Sequence, residues 1–198
     1  MTRRVIPQAP MAYENPSHEA LGSDLMAVLN TMRFPEEVLG QYWVDRLRSM
    51  NQEAWYPMQT MLELQQQVLH RGGRASLIQM GRQFFRDTHH QRMGTTLRSA
   101  SDVVYGLERM YRFANRGQNI GGWDVLGFGP GHAVLRKKTP HHCALDEGFL
   151  HEALQSVGVV VLIVQPACSQ TGAKACELEL CSSMRDSRWT GEHPQKDP

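Results

Sequence analysis

The chain has 198 residues, of which 41% are hydrophobic and 21% charged, with a formal net charge of +1. These are values of an ordinary globular domain, long enough to bury a sizeable core. The near-neutral charge argues against nucleic acid or an anionic membrane as partner, and no apolar run reaches the roughly 18 to 20 residues that span a bilayer.

The opening Met1-Thr2-Arg3-Arg4-Val5-Ile6-Pro7 is basic but carries no apolar stretch, so a secretory signal is not expected and the expected location is cytoplasmic. Residues 1–16 hold three prolines and no periodicity and are expected as an extended arm. Residues 17–182 are expected as one domain, and 183–198 as a polar tail. Eleven methionines are read as core filling.

Leu21, Leu25, Leu29 and Met32 predict a first helix that Pro35 stops. A second is expected from Glu36 to Ser49, with Leu39, Trp43 and Leu47 on one side. Pro57 sits at the start of a third, which Gly72-Gly73 ends. Leu77, Ile78, Phe84 and Phe85 mark a fourth, with Gly81 on the same face allowing a close helix approach. Leu97, Ala100, Val104, Leu107 and Tyr111 define a fifth over 95–115.

Glycines then punctuate the chain, and strands are expected near 119–126 and 131–137. A helix is expected over 146–157, with Gly158 as its stop. The run Val159 to Val164 reads as a strand buried on both faces, and 175–182 pairs with it through a turn at Gln170-Thr171-Gly172. The fold class is therefore α+β: N-terminal helices packed on a small antiparallel sheet, with a C-terminal hairpin-helix-hairpin unit.

All four cysteines follow residue 140. In a reducing compartment they are expected as free thiols or metal ligands. Cys168 ends one strand and Cys176 begins the next, so a hairpin brings both to one end of the sheet, and Cys143, at the mouth of the last helix, joins them. Strand alternation turns Cys181 to the other face. Three thiolates with one more donor make a closed tetrahedral zinc site. The alternatives are three small buried thiols and a disulfide formed under oxidation.

The stretches Pro140-His141-His142-Cys143-Ala144-Leu145-Asp146-Glu147-Gly148-Phe149, Val159 to Val164, and Cys168-Ser169-Gln170-Thr171-Gly172-Ala173-Lys174-Ala175-Cys176-Glu177-Leu178 resemble the 4-vinyl reductase-type, or hydrocarbon-binding, domain. The resemblance covers roughly 55–182, and its specific part is about forty residues. It implies a small-molecule sensor fold related to haem-nitric-oxide-binding domains and to vesicle-tethering subunits, with members that sense phenols. It also implies zinc on three cysteines and a glutamate. Cys143, Cys168 and Cys176 match the cysteines, but Gln165 stands at the glutamate position. The fourth donor is then Gln165, His142 or His141, or the site is empty.

Trp123, Tyr105, Tyr111, Phe84, Phe85 and Met80 are the expected walls of an apolar ligand pocket, with core packing as the alternative for each. Sequence neighbours do not share a helix face, so neither His89-His90 nor His141-His142 is by itself a metal site, and at a helix end such pairs are read as exposed or capping. Tyr111-Arg112-Phe113-Ala114-Asn115-Arg116 does not match the Tyr-x-Ser-x-Arg signature of haem-binding relatives, so haem is not assigned. Gly127-Phe128-Gly129-Pro130-Gly131 lacks the lysine of a P-loop, and neither a Gly-x-Ser-x-Gly elbow nor a His-Glu-x-x-His helix is present. The expected function is non-catalytic sensing of a small hydrophobic or aromatic ligand, signalling through a homodimer or a protein partner. The alternative is an interaction scaffold of the same fold without a pocket, and an enzyme ranks last.

Overall fold

The computed structural model describes residues 15–93 and 96–191. The expected arm lies outside the described residues except for Asn15 and Pro16. Strand β1 (Glu19–Leu21) leads into α1 (Gly22–Ala27) and a 3-10 turn over Val28–Thr31. Pro35 opens α2 (Pro35–Leu39) rather than closing the helix before it, because its missing N–H is harmless at a first helical position. The single helix expected from Glu36 to Ser49 is broken at Gly40, whose φ of 82° is left-handed, and resumes as α3 (Gln41–Arg48).

Strand β2 (Trp55–Pro57) precedes the long α4 (Met58–Phe84), and Gly73, at φ 72°, kinks this helix instead of ending it. A π-helical turn over Phe85–His90 follows, then the short α5 (Gln91–Met93). Helix α6 (Ala100–Ala114) starts later than the periodicity suggested. Ser99 and Asp102 form a capping box that fixes its first turn.

Strand β3 (Asn115–Arg116) pairs with β1, and β1 with β2, giving a three-stranded antiparallel sheet that the sequence does not advertise. The larger antiparallel sheet has the order β4-β5-β7-β6, from β4 (Trp123–Gly129), β5 (His132–Lys137), β6 (Leu162–Ala167) and β7 (Cys176–Cys181). Between them, α7 (Cys143–Ser156) begins three residues before the expected helix. Gly158 ends it at φ 75°. The α+β class is observed, with two hairpins flanking α7.

The strand expected to be buried on both faces is instead a sheet edge. Val160 and Leu162 are 72% and 66% exposed. A β-branched run marks strand propensity but carries no information on which strand lies outside. Residues in the expected polar tail form α8 (Ser187–Thr190), which fully buries Trp189 against Phe128 in a stacked pair.

Helix α7 is held against α4 by two glycines that face each other's backbone. A Cβ at Gly81 would lie 1.9 Å from the Leu145 carbonyl oxygen, and one at Gly148 would lie 1.9 Å from that of Ile78. The close approach expected from Gly81 is thus reciprocal. It sets the position of α7, from which both features described next are built.

Candidate functional site

An interior cavity of about 40 Å³ lies between α1, α4, α6 and α7. Met61, Phe84, Leu107, Trp123, Leu145 and Phe149 give it apolar walls, and Tyr111, Asn115, Asp24, His89, His141 and Asp146 contribute polar edges. Its polar lining contains two different arrangements. His141 is fully engaged: its Nδ1 accepts from the Gln65 amide at 2.8 Å and its Nε2–H donates to Asn115 Oδ1 at 3.1 Å. Burial, with the nearby Lys137 ammonium, holds this imidazole below the usual histidine range, against the pull of Asp146.

His89 and Asp24 are not satisfied in this way. Both are buried, and His89 Nε2 stands 3.6 Å from Asp24 Oδ2, beyond hydrogen-bonding distance. His89 Nδ1 and Asp24 Oδ1 have no hydrogen-bond partner among the described residues. An orphaned buried polar group costs about 1–3 kcal/mol. Both residues line the cavity. The His89 ring is fixed edge-on to Phe149, with centroids 4.9 Å apart.

Of the six expected pocket residues, Phe84, Tyr111 and Trp123 line the cavity. Met80 and Phe85 are fully buried just outside its lining, Phe85 packing edge-on against Phe149. Tyr105 is 61% exposed, because it lies on the face of α6 opposite Val104, Leu107 and Tyr111. Asp24, His89, His141 and Phe149 were not singled out from sequence as pocket residues. His89 was read as an exposed or capping residue, but the π-helical turn changes the register after Phe84 and rotates it inward.

The second feature is the thiol cluster one helical turn away. Cys143 Sγ lies 3.3 Å from Cys176 Sγ and 3.8 Å from Cys168 Sγ, and Cys176 and Cys168 are 4.0 Å apart. Cys181 is outside this group. All four cysteines are free thiols. Strand register explains the placement: Lys137 on β5 is the partner of Cys176 on β7, so the buried Lys137 sits beside the cluster. Its ammonium donates to the Asp146 carboxylate and to the His141 carbonyl. Burial opposes that charge, but Asp146 and the two nearby thiols outweigh it, and Lys137 is held above the usual lysine range.

Burial pushes the Cys143 thiol up to about 12. Burial also opposes ionisation of Cys176, but hydrogen bonds from the Ser169 hydroxyl and backbone N–H, from the Cys143 thiol, and the Lys137 charge together hold it below the ordinary cysteine value. The two thiols thus divide their roles, with Cys143 donating to Cys176.

None of the three expected fourth donors presents a lone pair to this cluster, and His141 has both nitrogens engaged by Gln65 and Asn115. Gln165 turns its amide nitrogen to Cys143 Sγ at 3.0 Å, and an N–H donor is no metal ligand. It sits where the β6–β7 register shifts between Val164 and Ala167, around Pro166. His142 is the N-cap of α7, and its Nδ1 accepts from the Ala144 N–H at 3.1 Å.

No protein-family model matches the chain, and no curated protein matches it in sequence. Solved structures do match in fold. An H-NOX protein from S. oneidensis in the Fe(II) ligation state aligns with a TM-score of 0.63 at 16% identity, covering 83% of this chain and 98% of that one. An Fe(II) unliganded H-NOX protein from K. algicida gives 0.63 at 11% identity, covering 82% and 96%. A structure described under modulation of haem redox potential by porphyrin distortion gives 0.57 at 10% identity, covering 81% and 99%.

These neighbours correct the zinc expectation. The metal named for the two H-NOX structures is iron, and the third is described for its haem. The donor set here agrees with the correction, since Gln165 turns a donor rather than a lone pair to the cluster and His142 is engaged at the start of α7. Haem itself does not fit the present cavity. About 40 Å³ is far below even the ~150 Å³ that holds a benzene ring. The chain shares the H-NOX fold, an α+β architecture, around a core of its own.

Proposed function

We propose that this chain is a non-catalytic domain that binds and senses a small hydrophobic or aromatic molecule in the α1–α4–α6–α7 cavity, as a member of the 4-vinyl reductase-type group. The observation that carries the reading is the pairing of apolar walls with two orphaned polar atoms, His89 Nδ1 and Asp24 Oδ1. That combination suits a ring bearing one hydroxyl group: the ring fills the apolar end, and the hydroxyl donates to Asp24 while His89 faces it.

The size of the cavity supplies the sensing step. It is smaller than a ring, so a ring must displace Met61, Trp123 or Phe149 to enter. Methionine adapts easily to such a change. Phe149 lies on α7 and Trp123 on β4, so filling the cavity biases the position of both elements, which is the differential interaction that a population shift needs. The signal then passes to a protein partner or through a homodimer. A cytoplasmic setting suits its four free thiols. No helix among the described residues is long and apolar enough to cross a membrane.

The test is thermal unfolding against a panel of phenols and other small hydrophobic compounds, with Trp123 fluorescence as a second signal. A saturable rise in Tm is expected with at least one hydroxylated ring, and Trp123→Ala should weaken it at least tenfold. A flat response across the panel sinks the reading. The scaffold alternative draws support from the β6 edge, where Leu162 and Val164 stand exposed beside Val160 just before the strand. Light scattering of the full chain and of Leu162→Lys distinguishes the two. A dimer abolished by that change, with no ligand response, favours the scaffold.

A further inference from the structure

The two edges of the larger sheet are built differently. β4 carries Asp124, paired with Lys138 at 3.3 Å, and a register shift between Val125 and Gly127. Charge and irregular pairing keep a further strand off an edge. β6, at the opposite edge, has neither over its first three residues. Leu162, Ile163 and Val164 pair in unbroken register with Cys181, Leu180 and Glu179, and the shift comes only after Val164. No charged residue occurs over 157–167. The Ser182 hydroxyl donates to the Val160 carbonyl at 2.8 Å, so the ordered edge begins ahead of the strand itself.

Along this edge Val160, Leu162 and Val164 point to the open face of the sheet, and Val161 and Ile163 to the core. The segment Val160-Val161-Leu162-Ile163-Val164 reads nearly the same in both directions. An antiparallel strand meets its own copy with the residues reversed. A two-fold axis at Leu162 therefore sets Val160 opposite Val164, Val161 opposite Ile163, and Leu162 opposite itself. Every such pair is aliphatic, and four of the five positions are β-branched, which suits contact across strands. Glu179, the neighbour of Val164 on β7, stands a full strand back, so no like charges meet at the axis and the apolar row keeps a polar rim.

We infer that two copies of this chain associate through β6, edge to edge and antiparallel about Leu162, into one sheet of eight strands, four from each copy. The homodimer of the proposed function then has a defined interface. β6 follows α7 in the chain, and Phe149 of α7 walls the cavity, so the paired edge is joined to a helix that a ligand displaces. That link rests on the sensing reading, whereas the association itself does not. With β4 guarded, each chain offers one open edge, and growth stops at two.

The test is sedimentation equilibrium of the reduced full-length chain, without ligand, from low to high micromolar concentration. A monomer–dimer equilibrium is expected. Leu162→Lys should raise its dissociation constant at least about tenfold, with an unchanged Tm showing that the chain stays folded. Leu162→Cys reads the register: mild oxidation should give a covalent dimer bridged through position 162, mapped by mass spectrometry and reversed by dithiothreitol. A chain that stays monomeric throughout, open-ended growth, a dimer that Leu162→Lys leaves intact, or a dimer in which Leu162→Cys forms no such bridge would each overturn the inference. An intact dimer with a flat response to the phenol panel upholds it and sinks the sensing reading instead.

Discussion

The cavity and the thiol cluster share helix α7, but they treat their polar atoms differently. Leu145, Asp146 and Phe149 wall the first, and Cys143 anchors the second. In the cluster, Cys143 and Cys176 have donors around them, and Gln165, Ser169 and Lys137 close the shell. In the cavity, His141 is paired at both nitrogens while His89 and Asp24 each keep an orphan atom. A satisfied polar shell favours one arrangement of the chain, whereas an unsatisfied one favours whatever molecule completes it. The contrast teaches where to look for a ligand: at the polar atoms the fold leaves open.

The joint between the regions is Asp146, which edges the cavity and pairs with Lys137 beside the thiols. Lys137→Met strands that carboxylate in the core. Breaking a buried pair in this way costs about 3–5 kcal/mol, and urea unfolding should show a loss of that size. A loss below about 1 kcal/mol would mean the two regions are not joined there.

Solution pH separates the regions by a smaller effect. His141 is held below the usual histidine range in the folded chain, and His142 and His151 shift the same way, each chiefly by burial. The unfolded chain therefore binds more protons below about pH 6.5. Their contribution is fully present above that value and is lost as pH falls through it. Lys137 has the opposite sign: its contribution is present below about pH 10.4 and is lost as pH rises beyond it. Tm measured from pH 4 to 11 should fall at both ends, and His141→Gln should flatten the acid limb. An unchanged acid limb in that variant would remove His141 from the account.

The smallest effect comes from Tyr105, on the outer face of α6. Tyr105→Ala should change stability by no more than about 0.5 kcal/mol and leave ligand-induced Tm shifts intact. A lost ligand response would instead make this exposed ring part of the site.

Much of the frame was legible in the residues. The period of Val104, Leu107 and Tyr111 placed α6, Gly81 marked the tight crossing on α7, and strand alternation separated Cys181 from the other thiols. What escaped depended on context that no periodicity carries. Strands β1, β2 and β3 are two or three residues long, too short to show alternation. The β-branched run that leads into β6 looks the same at an edge as in a centre. Trp189 is one aromatic in a polar segment, and its burial follows from Phe128 across space. His89 faces inward only because a π-helical turn shifts the register, and Asp24 meets it from a helix more than sixty residues earlier in the chain.

Calorimetric titration with phenol and with toluene tests the central claim most directly, since the two differ by one hydroxyl in place of a methyl. The account predicts that phenol binds at least tenfold more tightly than toluene, and that Asp24→Leu with His89→Leu erases the difference. Equal affinities in the unaltered chain, or no binding of either compound, would contradict it.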